Sequence, residues 1–170
     1  MALTLFIICY PTKDSFFMIC SAAIHELGHL LAVKMCNISP RGFYIGLCGG
    51  DMQINSSSSY TSDTCVYLGG IFANAVMLCI FYKTAFGYHN ASYALLNALP
   101  ISELDGGKAL RSALSCFLNP YTADRVCSYV SYAALFIVWQ LGIYLFFKTS
   151  SNLTLLIFCV YLFTVPEKHR

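Results

Sequence analysis

Charge is the scarcest property of this sequence. Only 11% of its 170 residues are charged while 58% are hydrophobic, and the mean hydropathy is +0.64. A chain so poor in charge cannot coat the outside of an ordinary soluble domain, which places it in the membrane class. No run of Lys and Arg occurs and the net charge is only +2, so the electrostatic footprint of a nucleic-acid-binding protein is missing and no nucleic-acid partner is expected. Paired cysteines are missing too. The nine cysteines (9, 20, 36, 48, 65, 79, 116, 127 and 159) stand singly with no CxxC, which excludes a cysteine zinc ribbon or a dithiol redox motif. The odd count does not suit a complete disulfide framework, and we read these residues as small apolar packing groups. The apolar stretch Ala2 to Tyr10 lacks a basic flank and a small-residue cleavage site, so it is not expected to be a signal peptide. It reads as a short interfacial or partly inserted segment.

What the chain does contain is a series of apolar stretches. Ser15 to Cys36 is apolar apart from His25, Glu26, His29 and Lys34; as a helix it measures about 30 Å, the thickness of a hydrocarbon core. Thr64 to Tyr82 is a marginal second span, and Val126 to Phe147 a clear later one. Tyr88 to Leu99 is short and is stopped by Pro100, then Gly106 and Gly107, which predicts a broken helix. Leu153 to Val165 reads as a further short span that tilts or packs against its neighbours. Between the first two spans, Asn37 to Ile54 mixes Pro40, Gly42, Gly46, Gly49 and Gly50 with Phe43, Ile45 and Leu47, which suits short strands joined by glycine turns. The serine-rich run Asn55 to Ser59 reads as a flexible connection. The expected fold is therefore an α-helical polytopic membrane protein with about five transmembrane or partly spanning helices and a small membrane-associated β-hairpin. No soluble second domain is expected.

Threading the spans alternately puts Lys34, Arg41, Lys108, Arg111, Arg125, Lys168 and Arg170 on one side and Lys13, Lys83 and Lys148 on the other. The richer side is assigned to the cytoplasm. The first span then runs inward, and His29 lies nearer its cytoplasmic end.

The chemistry is concentrated in His25-Glu26-Leu27-Gly28-His29, an HExxH motif. On a helix the two histidines are one turn apart on one face, so both imidazoles reach a single zinc ion, and Glu26 lies beside them as the base that activates water. Ionisable groups inside a span are costly and are usually functional. A catalytic zinc takes a third protein ligand, for which Asp105 is the leading candidate, carried by Leu104-Asp105-Gly106-Gly107 beyond the break at Pro100. Irregular backbone at membrane depth is tolerated where it lines a water-filled cavity, which hydrolysis also needs. Two alternatives stay open: Asp105 as the N-cap of a helix from Lys108 to Leu118, and Glu103 as a rival ligand. Asn74 and Asn97 are amides in apolar segments, suited either to interhelical hydrogen bonds or to holding a substrate carbonyl.

These residues carry a family resemblance. The HExxH motif, then Gly70-Ile71-Phe72-Ala73-Asn74, then Asn97-x-x-Pro100 leading into Leu104-Asp105-Gly106-Gly107 resemble the three ordered signatures of the site-2 protease family of intramembrane metalloproteases. The resemblance covers about residues 16 to 118. In compact size and cytoplasm-facing site the chain is most like the branch that includes the stage IV sporulation processing peptidase. The resemblance implies zinc on His25, His29 and Asp105, water activation by Glu26, and substrate placement or polarisation by Asn74 and Asn97. A single protease domain over residues 1–170, in a bacterial cell membrane, is expected; it departs from the family pattern in having its first span reduced to the stub before Pro11 and no CBS or PDZ domain attached. Family members usually carry another proline near Ser102-Glu103, which this chain lacks.

The expected function is zinc-dependent peptide-bond hydrolysis within or beside the transmembrane segment of a membrane-anchored protein substrate, near the cytoplasmic face. The unwound substrate is expected to lie along the strands from Gly42 to Ile54, with membrane-embedded regulators as further partners. The alternative from another class is a non-catalytic homologue that holds a client's helix without cutting it. A transporter is disfavoured, since there is no inverted repeat and no second broken segment.

Overall fold

The computed structural model describes residues 12–38, 40–46, 49–54, 59–149 and 160. It contains five α-helices: α1 (Thr12–Met35), α2 (Tyr60–Ile80), α3 (Ala85–Asn97), α4 (Asp105–Ser115) and α5 (Pro120–Thr149). Between α1 and α2, β1 (Pro40–Gly46) pairs antiparallel with β2 (Gly49–Ile54), with an irregular register between Pro40 and Gly42. The stub Ala2 to Tyr10, the connection Asn55 to Ser58 and, apart from Val160, the apolar stretch Leu153 to Val165 lie outside the described residues.

Three of the helices are long and apolar enough to cross a membrane, over Lys13–Met35, Tyr60–Ile80 and Pro120–Lys148. Their large side chains point outward, as a lipid-facing surface requires: Leu27 and Leu31 on α1, Leu68 and Phe72 on α2, Phe136 and Ile137 on α5 are all exposed. Helix α3, at 13 residues, spans only about 20 Å and does not cross a bilayer alone.

Helix ends follow local chemistry. Helix α1 stops in a Schellman motif: the Asn37 N–H donates to the Lys34 carbonyl at 3.3 Å and the Ile38 N–H to the Val33 carbonyl at 3.1 Å. Asn37 takes the left-handed conformation that this motif needs, at φ 52°. Thr84 caps α3, its hydroxyl accepting from the Gly87 N–H at 3.1 Å. Helix α2 begins at Tyr60 rather than Thr64, because Thr61, Ser62 and Asp63 occupy a first turn whose free N–H groups favour polar and acidic residues. Helix α5 begins at Pro120 rather than Val126, since proline at a first helical position forfeits no hydrogen bond.

Helices α1 and α2 pack antiparallel and unusually close. A Cβ on Gly28 would meet the Gly69 carbonyl oxygen at 2.5 Å, and one on Gly69 would meet the Gly28 carbonyl oxygen at 2.7 Å. Only glycine lets two helix backbones touch in this way. Helix α3 runs parallel to α1, with Phe17 against Phe86 near their starts and His25 against Tyr93 further along. The segment after α3 buries Ile101 and Leu104 against Leu135 of α5, so α5 supports the break that follows Pro100.

Candidate metal centre

Helix α1 places His25 and His29 on one face, with their rings 4.7 Å apart and nearly perpendicular. Asp105 reaches the same point from the first residue of α4. His25 Nε2 lies 2.6 Å and His29 Nε2 3.2 Å from Asp105 Oδ2. The three side chains are only 3%, 11% and 16% exposed, so this charge-bearing cluster is largely withdrawn from solvent. Glu103 is not part of the group among the described residues.

The N-cap alternative for Asp105 does not describe the structure. Leu104 holds the N-cap position in extended conformation and no side chain caps the helix. Asp105 is the first helical residue, its side chain turned toward the histidines. Helix α4 therefore starts three residues earlier than Lys108.

A second hydrogen bond fixes a proton on Nδ1 of His29. Its Nδ1 lies 2.8 Å from the Val66 carbonyl oxygen of α2; a carbonyl only accepts, so Nδ1 carries the proton. The other ring nitrogen, Nε2, faces the Asp105 carboxylate at 3.2 Å. It can donate a second proton there, or as the neutral tautomer share a cation with the carboxylate. Ligands about 2.0–2.1 Å from a tetrahedral ion stand roughly 3.3 Å apart; His29 and Asp105 at 3.2 Å match that spacing, while His25 and Asp105 at 2.6 Å are in direct hydrogen-bond contact and must part slightly to admit an ion. A histidine pair with one carboxylate fits a divalent ion.

Helix α2 packs closely on the pair. A Cβ on Gly70 would sit 2.6 Å from His29 Nε2 and 2.7 Å from His25 Nε2, so only a residue without a side chain lets α2 approach both ring nitrogens. Gly70 is the first residue of the second signature, yet nothing in the sequence alone tied it to the histidine nitrogens. Tyr93 of α3, absent from the sequence reading, closes the other side with its ring 5.1 Å from that of His25.

The break that delivers Asp105 is held by backbone contact. A Cβ on Gly106 would press on the Ala98 and Leu99 carbonyl oxygens, and one on Gly107 would collide with the Ile101 carbonyl, so the first turn of α4 folds directly over the preceding loop. The Ser102 N–H donates to the Ser131 hydroxyl of α5 at 3.0 Å. This tertiary hydrogen bond restrains a segment, Ser102-Glu103, that carries no proline to limit φ. Ser131 is buried, and its loss leaves an inward N–H unpaired at a cost of about 1–3 kcal/mol. Ser131→Ala is expected to speed amide hydrogen exchange at Ser102 by about tenfold or more; unchanged protection would show that the loop is held elsewhere.

Of the remaining expected site residues, Glu26 follows His25 on α1 and is half-buried. Asn74 is wholly buried beside His25. Asn97 is not brought to the cluster by any described contact; its amide donates to the Tyr93 carbonyl one turn back at 3.1 Å. No protein-family model matches this chain, and no curated protein matches it.

Proposed function

We propose that the chain is an intramembrane zinc metalloendopeptidase of the site-2 protease type, cutting a membrane-anchored protein within or beside its transmembrane segment near the cytoplasmic face of a bacterial membrane. The observation that carries this reading is the convergence of His25, His29 and Asp105 in the middle of a helix bundle whose α1 is long and apolar enough to span. Polar clusters at such depth are costly unless they do chemistry.

In this reading His25, His29 and Asp105 hold zinc, which when bound polarises the scissile carbonyl and makes water more acidic. Glu26 takes the proton of the attacking water and passes it to the departing amide nitrogen. Tyr93, Gly70 and the α1–α2 contact wall the site and limit how much water enters. The antiparallel pair β1–β2 offers an edge along which an unwound substrate adds a strand. Asn97 serves the substrate after a rotamer change that releases the Tyr93 carbonyl.

The test compares membranes of cells producing the chain with those producing His25→Ala, by mass spectrometry of single-span proteins. Shortened fragments ending near the cytoplasmic boundary are expected only with the unaltered chain. Identical peptide maps would sink the protease reading.

A further inference from the structure

His25 is held differently from His29, and the difference bears on Asn74. His25 Nε2 faces Asp105 at 2.6 Å, so its other nitrogen, Nδ1, points away from the cluster toward α2. There it meets the Asn74 side chain, whose amide nitrogen lies 3.5 Å away. Asn74 is completely buried, and its carbonyl oxygen has no hydrogen-bond partner. An imidazole that offers Nε2 to a metal as a neutral ligand keeps its proton on Nδ1. An Nδ1–H facing an NH2 group sets donor against donor. A buried acceptor is meanwhile left unpaired on the same side chain, which costs about 1–3 kcal/mol.

One motion removes the donor–donor clash and gives the oxygen a partner. The two ends of a carboxamide are nearly equal in size, so a half-turn about its last bond puts oxygen where nitrogen stands without displacing a neighbour. We infer that Asn74 is a positioning residue whose side-chain oxygen accepts the proton of His25 Nδ1, doing for His25 what the Val66 carbonyl does for His29. Both histidines are then locked with Nε2 facing the Asp105 carboxylate. Both anchors belong to α2, spaced by two turns, so α2 sets the orientation of both imidazoles. This inference rests on the metal reading above and changes one part of it: Asn74 acts through His25 rather than on the substrate.

The test uses the full chain in detergent micelles with zinc or cobalt(II) as the probe. Cobalt shifts the N–H protons of its imidazole ligands far from other signals, so unaltered protein should give two exchangeable resonances, one per histidine. Asn74→Leu should lose one of them to solvent exchange and bind zinc roughly 10–100-fold more weakly in chelator competition. Asn74→Asp, whose carboxylate can only accept from an N–H, should keep both resonances and bind zinc at least as tightly as the unaltered chain. If Asn74→Asp loses the resonance and the affinity, the side chain is not the acceptor and the inference falls, whether or not Asn74→Leu folds. Undiminished affinity and two resonances in Asn74→Leu would overturn it equally. If the unaltered chain binds neither ion, the metal reading itself fails, an outcome separate from the other two.

Discussion

Gly70→Ala is expected to empty the metal centre while leaving the helices intact. The added methyl would lie 2.6–2.7 Å from His29 Nε2 and from His25 Nε2 and Cε1, well inside van der Waals contact and in the space that converging lone pairs require. The neighbours cannot retreat cheaply: His29 is tied to Val66, and α1 is already backbone-to-backbone with α2 at Gly28 and Gly69. Helix propensity acts in the opposite direction, since alanine stabilises a helix interior by about 1 kcal/mol over glycine. Loss of metal with retained helicity is therefore the signature. Zinc content of the purified chain should fall from about one per molecule to near zero, with the far-ultraviolet circular dichroism unchanged. Gly28→Ala is the contrasting variant, because its Cβ meets α2 backbone instead of a ligand atom, and it should lower thermal stability. Full zinc content in Gly70→Ala would mean that the ion does not sit on the Nε2 face.

Glu26→Gln is expected to keep the metal and lose the chemistry. Glutamine has the size and hydrogen-bonding length of glutamate but cannot take a proton, and a positioned general base contributes about 10²–10⁴-fold to rate. Glu26 is not one of the three converging ligands, so zinc content should match that of the unaltered chain. The same variant separates the proposed protease function from its main rival, a protein that holds a client helix without cutting it. Fragment production from single-span proteins should drop by at least about a hundredfold in the first case and would never have existed in the second. Processing at the original rate in Glu26→Gln would remove the catalytic role from this residue.

How much of this was legible beforehand depends on the distance over which each feature is specified. The His25–His29 pair is local: four residues of helix place two imidazoles on one face whatever surrounds them. The apolar stretches likewise announced α1, α2 and α5, because lipid rewards long runs of apolar side chains regardless of tertiary partners. Their starting points were less legible. Polar first turns at Thr61–Asp63 and after Pro120 look like loop in a hydropathy reading, yet free N–H groups at a helix start welcome them.

Asp105 was ambiguous because it is 80 residues from His25. Locally, an aspartate before a helix is as good a cap as a ligand. Its side chain is directed to the histidines by the fold of the break, through the Gly107–Ile101 contact and the Ser102–Ser131 hydrogen bond. The carbonyl of Val66 had no signal at all, since every residue has a carbonyl, and only helix packing selects one to receive the His29 proton. The same holds for Tyr93, one aromatic among many.

The sequence by itself thus determined that two histidines and a glutamate share one turn of a helix long and apolar enough to cross a membrane, because residue chemistry and helical spacing are short-range properties. Only the tertiary structure decided that Asp105 joins the histidines, that the bare Cα of Gly70 packs against both Nε2 atoms, and that the Val66 carbonyl of α2 takes the His29 N–H. Those outcomes depend on how closely α1 and α2 approach, which Gly28 and Gly69 set by meeting backbone across the bundle, and on how the first turn of α4 folds over the loop before it; the first pairing lies in no single stretch of chain.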